Sequence, residues 1–289
     1  MHAQDRETLR KLATRWMELA SQPVMSERQR LWTALKDLHA ERPMIMFETL
    51  LVANYVREDE LVCQDPDLRW VERGMRWSIR HAEEVNDDLV LEPYWRVYWD
   101  IEMSDYGVPI HEERAVDDRG DQVAIVFSHP IQTPEDIQKL KPRTWRVDRA
   151  KTLQRVERLS GIFGDILPVK LQGLGSAFAG LTVDLFKLIG NENLMVWTYD
   201  APEALHQLMS FLRDDRLAYY SWLESEDLLR LDNNAELAGS GSPGFTTGLP
   251  QPDYNGKTRL RDKWIWLESQ ETTMISPAMF NRFFLPYLA

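Results

Sequence analysis

Polar residues stand where short apolar runs of the chain end. The runs at 43–47, 87–93, 166–173 and 227–234 are predicted to be strands, and strands that are apolar on both faces are typical of a buried parallel sheet. The polar and aromatic residues that close these runs, together with those of a later run around 263–271, are Glu48, Glu92, Tyr94, Trp95, Lys170, Gln172, Asp232, Asn233, Asn234, Glu268, Gln270 and Glu271. Because ligands bind beyond the carboxyl ends of parallel strands, we expect these side chains to share one pocket.

Each candidate has a role that follows from its chemistry. Asp232, Glu268 and Gln270 are predicted to act in catalysis, as proton-transfer or positioning groups. The predicted substrate contacts are Glu48, Glu92, Gln172, Gly175, Asn233 and Trp266, with Gly175 in a turn before a helix N-terminus and Trp266 as a pocket wall. Polar residues at strand ends also cap helices and face water, and this alternative stays open for each position taken singly.

The elements that must position these residues alternate along the chain. Apolar residues at a spacing of three or four predict helices over about 5–20, 26–40, 66–85, 133–140, 148–164, 177–190 and 202–226. A hairpin is predicted over 111–127, and Ser276 with Pro277 predicts the start of a last helix. Strand and helix in alternation predict an α/β fold with a parallel sheet coated by helices, and the Gly/Pro/Ser-rich stretch 237–257 reads as a loop.

Composition excludes several classes of function. The net charge is −12 and no block of Lys and Arg occurs, so nucleic acid and anionic membranes are poor partners and a small-molecule substrate is expected. Cys63 is the only cysteine, which excludes an internal disulfide and a zinc cage built from several thiolates of this chain. No metal site is complete in the sequence, and neither a secretory signal nor an 18-residue apolar run occurs, so a cytoplasmic location is expected.

Two stretches resemble the uroporphyrinogen decarboxylase superfamily. The segment "LPVKLQGLGSAFAGLTVDLFKLIG" is similar to a strand, glycine-rich turn and helix of that family, and "ESQETTMISPAMFNRFFLPYLA" is similar to its acidic strand end and Pro-Tyr helix. The resemblance implies a TIM (β/α)₈ barrel with an inserted β-hairpin. It also implies a division into an N-terminal helical extension at 1–40 and the N-terminal part of the barrel at 41–289, with the C-terminal part missing.

The family's activities are decarboxylation of porphyrinogens and methyl transfer between a corrinoid protein and a thiol or folate. The decarboxylase carries an arginine-rich "RQAGRY" signature where this chain reads "MFETLLVANY", and Glu48 would repel a polyanionic porphyrinogen. The resemblance therefore favours the methyltransferase type, with a corrinoid protein as a partner and a homodimer allowed. Zinc is expected only in a full-length relative, because the family's ligands follow the Pro-Tyr helix.

Two alternatives stay open. The first is uroporphyrinogen decarboxylation in porphyrin biosynthesis, in which Asp232 would hold the pyrrole N–H groups of a tetrapyrrole. The second is a non-catalytic barrel fragment or binding module, since an incomplete sheet exposes edges that another chain would have to cover.

Overall fold

The computed structural model describes residues 2–49, 52, 54–118, 122–173, 177–239 and 242–289. About half of the chain is helical and 11% is strand, which confirms a mixed α and β protein. The helices are α1 (Ala3–Ala20), α2 (Pro23–Lys36), α3 (Pro66–Glu84), α4 (Arg149–Phe163), α5 (Leu181–Asp200), α6 (Pro202–Ser225), α7 (Pro277–Phe283) and α8 (Leu285–Leu288). The strands are β1 (Trp95–Val97), β2 (Ile101–Met103), β3 (Glu112–Val116), β4 (Gln122–Phe127), β5 (Trp145–Val147), β6 (Val169–Leu171), β7 (Ala177–Phe178), β8 (Leu237–Gly239), β9 (Ser242–Pro243) and β10 (Ile265–Trp266).

The chain divides into two compact units. Unit 1 consists of Met1–Asp100, Asp148–Ser176 and Leu228–Trp264, and unit 2 consists of Ile101–Val147, Ala177–Asp227 and Ile265–Ala289. The described strands form five two-stranded sheets, and no closed barrel occurs among them. No helix in the described ranges is long and apolar enough to cross a membrane.

The core of unit 1 lies between helices α1, α3 and α4. One face of α1 is apolar because Leu9, Ala13, Trp16 and Leu19 recur at helical spacing, and all four are buried. Helix α3 begins where Asp65 accepts hydrogen bonds from the backbone N–H groups of Asp67 and Leu68. The parallel pair β1–β6, with Trp95 opposite Val169, contributes to the same core.

Three of the predicted strands are not strands in the structure. The 43–47 run has no regular secondary structure and joins no ladder, so this prediction is wrong. Its backbone N–H groups at Ile45 and Phe47 donate to the carboxylates of Asp88 and Asp87, each at 2.8 Å, and these side chains replace a neighbouring strand. The 87–93 prediction is wrong by position, because strand β1 begins only at Trp95.

The 227–234 segment also forms no strand. Asp227 has a φ of 55°, in the left-handed region, which breaks the extended path at its start. Backbone carbonyls within the segment accept side-chain donors instead of a ladder: Lys263 Nζ donates to Arg230 O, and Gln172 Nε2 donates to Leu231 O, each at 2.7 Å. The segment is therefore held in place by side chains, and it carries Asp232 and Asn233.

Unit 2 has a helical core of its own and confirms the predicted hairpin. Helices α5, α6 and α7 bury Leu185, Leu208 and Phe283 together, and α5 is interrupted at Gly190, whose φ is 77°. Strands β3 and β4 pair antiparallel, with Arg114 opposite Ile125, whereas part of the predicted turn lies outside the described residues. Ser276 caps helix α7 as predicted, since its side chain accepts from Met279 N, and a further short helix, α8, follows.

Candidate functional site

Strand β1 presents two different faces because side chains alternate along a strand. Trp95 and Val97 are buried in the core of unit 1. Arg96, between them, forms an ion pair with the carboxylate of Glu92, and the hydroxyl of Tyr94 donates to the same carboxylate at 2.7 Å. Lys170 of the neighbouring strand β6 places its ammonium 3.9 Å from the centre of the Tyr94 ring. The polar face of this parallel pair is thus charged and aromatic.

Gln172 links this sheet to the 228–236 segment. Its backbone N–H continues the ladder by donating to Val97 O at 2.8 Å, and its side chain donates to Leu231 O at 2.7 Å. The same 228–236 segment brings Asp232 and Glu236 close to these side chains. We call this group the polar cluster; its members are Glu92, Tyr94, Arg96, Tyr98, Lys170, Gln172, Asp232, Glu236 and Lys263.

Asp232 is only 1% exposed and is incompletely bonded. Its Oδ1 accepts from Trp264 N at 3.1 Å. Its Oδ2 lies 2.9 Å from Lys263 Nζ, which is an ion pair by distance, but the ammonium is directed at Arg230 O and Oδ2 has no hydrogen-bond partner in the described ranges. The charges attract each other, while one carboxylate oxygen is left with an unused lone pair.

Glu236 is the second buried carboxylate of the polar cluster. Burial raises its pKa above the usual value, and the negative charge of Asp232 adds to this rise. The opposing influences are the charge of Arg96, a hydrogen bond with Tyr98 and the charge of Lys263. Its Oε2 has no hydrogen-bond partner among the described residues, and neither has Arg96 Nε. Buried polar atoms without partners are rare in native proteins, and they cluster at functional sites.

A segment that we call the strap, residues 242–251, passes directly over Asp232. A Cβ atom added to Gly244 would lie 1.8 Å from Asp232 O, so only glycine fits there. The backbone N–H of Gly244 donates to Glu236 O at 2.9 Å, and its carbonyl accepts from Trp264 Nε1 at 2.7 Å. The strap therefore fixes the backbone that carries both carboxylates.

Two further contacts hold the strap in place within unit 1. Asn233 Nδ2 donates to Leu249 O at 2.9 Å. Asp37, which follows helix α2, accepts from the hydroxyls of Thr246 at 2.6 Å and Thr247 at 2.5 Å. These hydrogen bonds, led by the one from Thr246, lower the pKa of Asp37. Asn233 thus bonds to the strap, rather than to another side chain of the polar cluster.

The sequence-predicted residues fall in both units. Glu92, Gln172 and Asp232 come together in the polar cluster of unit 1. Glu48 is half-buried in unit 1, at the end of the segment that Asp87 and Asp88 hold. Gly175 lies outside the described residues.

The remaining three belong to unit 2. Trp266 packs its ring edge-on against Phe178, with centroids 5.4 Å apart, and Glu268 accepts from Gln270 Nε2 at 2.7 Å. Gln270 is exposed and borders a cavity of about 360 Å³. The other residues that line this cavity are Val183, Phe186, Asn191, Met195, Glu271, Thr273 and Met274.

Sequence reasoning missed four members of the polar cluster: Arg96, Tyr98, Glu236 and Lys263. A signal for two of them was present, because Tyr94, Arg96 and Tyr98 alternate with Trp95, Val97 and Trp99 in "YWRVYW". Glu236 gave no such signal, since it stands beside the Gly/Pro/Ser-rich loop, outside any apolar run.

The donor set does not fit the zinc that the family resemblance implies. Among the described residues, no group of three or more His, Cys, Asp and Glu side chains could hold a metal ion. Burial raises the pKa of Cys63 to about 12, and the nearby charge of Glu72 adds to this rise, so this thiol is protonated at neutral pH when no metal is bound.

Comparison with known proteins adds no relative. No protein-family model matches the chain, and neither a curated protein nor a solved structure matches it.

Proposed function

We propose that this chain is a uroporphyrinogen-decarboxylase-like enzyme of the methyltransferase type, in which a methyl group passes from a corrinoid protein to a thiol or folate acceptor. The observation that carries the proposal is the polar cluster with its three buried atoms that have no hydrogen-bond partner among the described residues: Arg96 Nε, Asp232 Oδ2 and Glu236 Oε2. Desolvated charges of this kind cost folding free energy, and active sites are where proteins retain them.

The topology supports the barrel part of this proposal. Strand β1 pairs parallel with β6, and helix α4 lies between these strands in the chain and packs against both. Strand β7 pairs parallel with β10 in the same way, with helices α5 and α6 between them in sequence. Parallel strands with intervening helices are the repeating unit of a (β/α)₈ barrel, and its active site lies at the carboxyl ends of the strands, where Gln172 stands.

The charge balance of the polar cluster supports methyl transfer over porphyrinogen decarboxylation. Its three cations are Arg96, Lys170 and Lys263, and its three carboxylates are Glu92, Asp232 and Glu236. Arg96 is paired with Glu92, and Lys263 lies beside Asp232, so two of the cations are already neutralised. A substrate with many carboxylates needs cations that are free to bind it. A thiol or a folate ring places no such demand on the site.

Glu236 supplies the acid–base chemistry in this proposal. When a thiol accepts a methyl group, the new S–C bond forms with an electron pair of sulfur, and the thiol proton must leave. The electron pair of the broken bond to the methyl group stays with the donor. Glu236 Oε2, in its ionised form, takes the proton. Because the pKa of this carboxyl is raised, its carboxylate is a stronger base than that of an ordinary glutamate.

The test uses methylcobalamin as the methyl donor. The purified chain is incubated with it and with either 2-mercaptoethanol or tetrahydrofolate, and demethylation is followed by absorbance. We expect enzyme-dependent turnover that falls about 100-fold or more in Glu236→Gln. Leu153→Glu, an exposed substitution on α4, is the control and should keep the wild-type rate. If neither acceptor is methylated, or if Glu236→Gln keeps full turnover, the proposal is wrong.

One observation favours the decarboxylase as a second candidate. Asp232 Oδ2, which has no hydrogen-bond donor among the described residues, could accept a pyrrole N–H, and a tetrapyrrole substrate would require this role. Incubation with uroporphyrinogen, followed by mass analysis of the product, distinguishes the two activities. Decarboxylation would replace methyl transfer as the activity if the wild-type chain removes carbon dioxide from uroporphyrinogen and the Asp232→Asn variant does not.

A further inference from the structure

The β3–β4 hairpin of unit 2 is covered by little of its own chain. All five residues of β3 are exposed, and Val116, Val123 and Val126 keep 63%, 62% and 61% of their surface exposed. No third strand joins this sheet in the described ranges. A two-stranded hairpin is marginally stable by itself in water, and its outer backbone edges are templates for pairing with another strand.

The base of the hairpin is anchored, whereas its outer part is not. Phe127, the last residue of β4, packs edge-on against Phe186 of α5 with ring centroids 5.8 Å apart, and Lys187 lies over the same ring at 5.2 Å. Residues 122–126 extend beyond this contact. These five residues are the part of β4 that remains available for a partner.

The two edges of the hairpin differ in charge. Strand β3 begins with Glu112, Glu113 and Arg114, and charged residues on an edge strand oppose pairing with another chain. Strand β4 reads "QVAIVF" and carries no charge. The whole chain has a net charge of −12, which opposes contact between two copies, and an uncharged edge avoids the local part of this repulsion.

We propose that the β4 edge is a self-association surface, on which β4 of a second copy of this chain pairs antiparallel. A two-fold axis at Ala124 places Ala124 opposite its own copy and Val123 opposite Ile125 of the other chain. This register joins β-branched side chains across the pair and leaves Phe127 on Phe186. The product is a four-stranded antiparallel sheet, which closes the two β4 edges and leaves the charged β3 edges outermost.

The expected complex is weak. Five residues a side is far below the roughly 20–30 residues of a standard interface, so we expect a dissociation constant on the order of 10 μM. Sedimentation velocity between about 1 and 200 μM, in buffer with about 0.15 M salt, measures it. The wild-type chain should shift from monomer to dimer over this range.

A matched pair of double variants tests the register. In Val123→Glu/Ile125→Glu, like charges face each other across the two-fold axis, so the dimer should be lost. In Val123→Lys/Ile125→Glu, each lysine faces a glutamate of the other chain, so the dimer should persist. Both variants place a glutamate opposite Arg114 within the hairpin, which keeps its internal pairing favourable.

A control variant distinguishes the effect of repulsion between the two β4 strands from the effect of a more negative net charge on dimerisation. Leu153→Glu/Leu217→Glu adds the same two negative charges at exposed helical positions and should dimerise as the wild type does. Equal thermal unfolding midpoints in all four proteins establish that the hairpin substitutions leave the fold intact. The proposal is overturned if the wild type is monomeric at about 200 μM, if the double glutamate variant still dimerises, or if the lysine–glutamate variant does not. None of these outcomes depends on the enzymatic activity proposed above.

Discussion

Asp215 of unit 2 and Asp232 of unit 1 are both buried aspartates paired with a cation, yet their surroundings differ. Asp215 accepts three hydrogen bonds from one residue: from Arg143 N at 2.9 Å, Arg143 Nε at 2.8 Å and an Arg143 terminal nitrogen at 2.5 Å. Asp232 accepts one hydrogen bond, from Trp264 N, and its Lys263 neighbour donates elsewhere. The first arrangement satisfies both carboxylate oxygens with hydrogen bonds, whereas the second leaves Asp232 Oδ2 with only its ion-pair contact to Lys263 among the described residues.

The contrast distinguishes an ion pair whose carboxylate is fully hydrogen-bonded from one whose carboxylate keeps an acceptor for a ligand. The planar guanidinium of Arg143 matches the carboxylate geometry, and it also stacks over the Tyr106 ring at 4.5 Å, so this pair holds the chain together. Lysine is a point charge without a fixed fork, and the Asp232 carboxylate keeps a lone pair that a ligand could use. Burial and pairing alone do not tell the two apart, whereas the number of satisfied lone pairs does.

The largest expected effect is that of Asp215→Ala. This substitution leaves the Arg143 guanidinium buried without its carboxylate, so we expect the free energy of unfolding to fall by about 3–5 kcal/mol. Urea unfolding followed by circular dichroism measures the change. A loss below about 1 kcal/mol would mean that the Arg143–Asp215 pair does not stabilise the fold. The contrast drawn between this pair and the Lys263–Asp232 pair would then be wrong.

Asp232→Asn should lower the free energy of unfolding less than Asp215→Ala does, and it should lower the enzymatic turnover. The amide keeps an acceptor for Trp264 N, and Lys263 keeps its hydrogen bond to Arg230 O, but the buried Lys263 ammonium loses its counter-charge. We therefore expect the free energy of unfolding to fall by about 2–3 kcal/mol. Turnover should fall far more than this loss of stability explains. Equal stability losses in Asp232→Asn and Asp215→Ala, measured by the same urea titration, would remove the distinction between the pairs.

Glu236→Gln should stabilise the protein slightly at neutral pH. Because the folded-state pKa of Glu236 is raised, the folded chain holds this proton more tightly than the unfolded chain. The contribution of Glu236 to the free energy of unfolding is therefore full at pH values below its unfolded-state pKa of about 4.5. It is lost as the pH rises through the folded-state pKa. Glutamine does not titrate, so the variant should escape this loss and gain up to about 1 kcal/mol near pH 7. Urea titrations at several pH values compare it with the wild type.

Asp87→Asn is the control of opposite sign. Burial pushes the pKa of Asp87 up, but hydrogen bonds from His81 and from the backbone N–H groups of Phe47 and Leu89 outweigh it, so the net shift is downward. The stability related to Asp87 is therefore present above its unfolded value of 3.8 and lost as pH falls through its folded-state pKa. The Asn variant should lose stability at neutral pH. The same pH trend in both variants would contradict the assignment of Glu236.

The smallest effect concerns Cys63, in the closed core of unit 1. Its pKa of about 12 and its burial predict negligible alkylation by iodoacetamide at pH 8 in the folded protein. The same reagent should react rapidly in urea. Fast reaction without denaturant would mean that the helical core opens, and the burial of the neighbouring polar cluster would then need another explanation.

The sequence predicted helices better than strands, for a physical reason. Apolar spacing placed α1, α3 and α6 within a few residues of their observed ends, because a helix buries one regular stripe of side chains. A strand needs a neighbour, and spacing along one run does not say whether a neighbour exists. The 43–47 run is apolar, yet it forms no strand, and the carboxylates of Asp87 and Asp88 accept the backbone N–H groups that a partner strand would otherwise take.

Only part of the candidate site was predicted, because a local sequence pattern does not report which distant residues pack against a given side chain. Asp232 was found because it closes an apolar run, even though that run is not a strand, and Gln172 was found because it follows the real strand β6. Glu236 was missed because its burial comes from the strap and from Arg96, Tyr98 and Lys263, which are distant in sequence. Long-range desolvation of a loop residue leaves no local pattern in the chain.

The close passage of Gly244 over Asp232 O has a consequence for any related sequence. A methyl group at this position would overlap the carbonyl oxygen, so even alanine would force the backbone that carries Asp232 and Glu236 to move. Saturation mutagenesis at codon 244 should therefore recover glycine alone under selection for function. A homologue that keeps both acids but has a larger residue here would have had to reroute its main chain first.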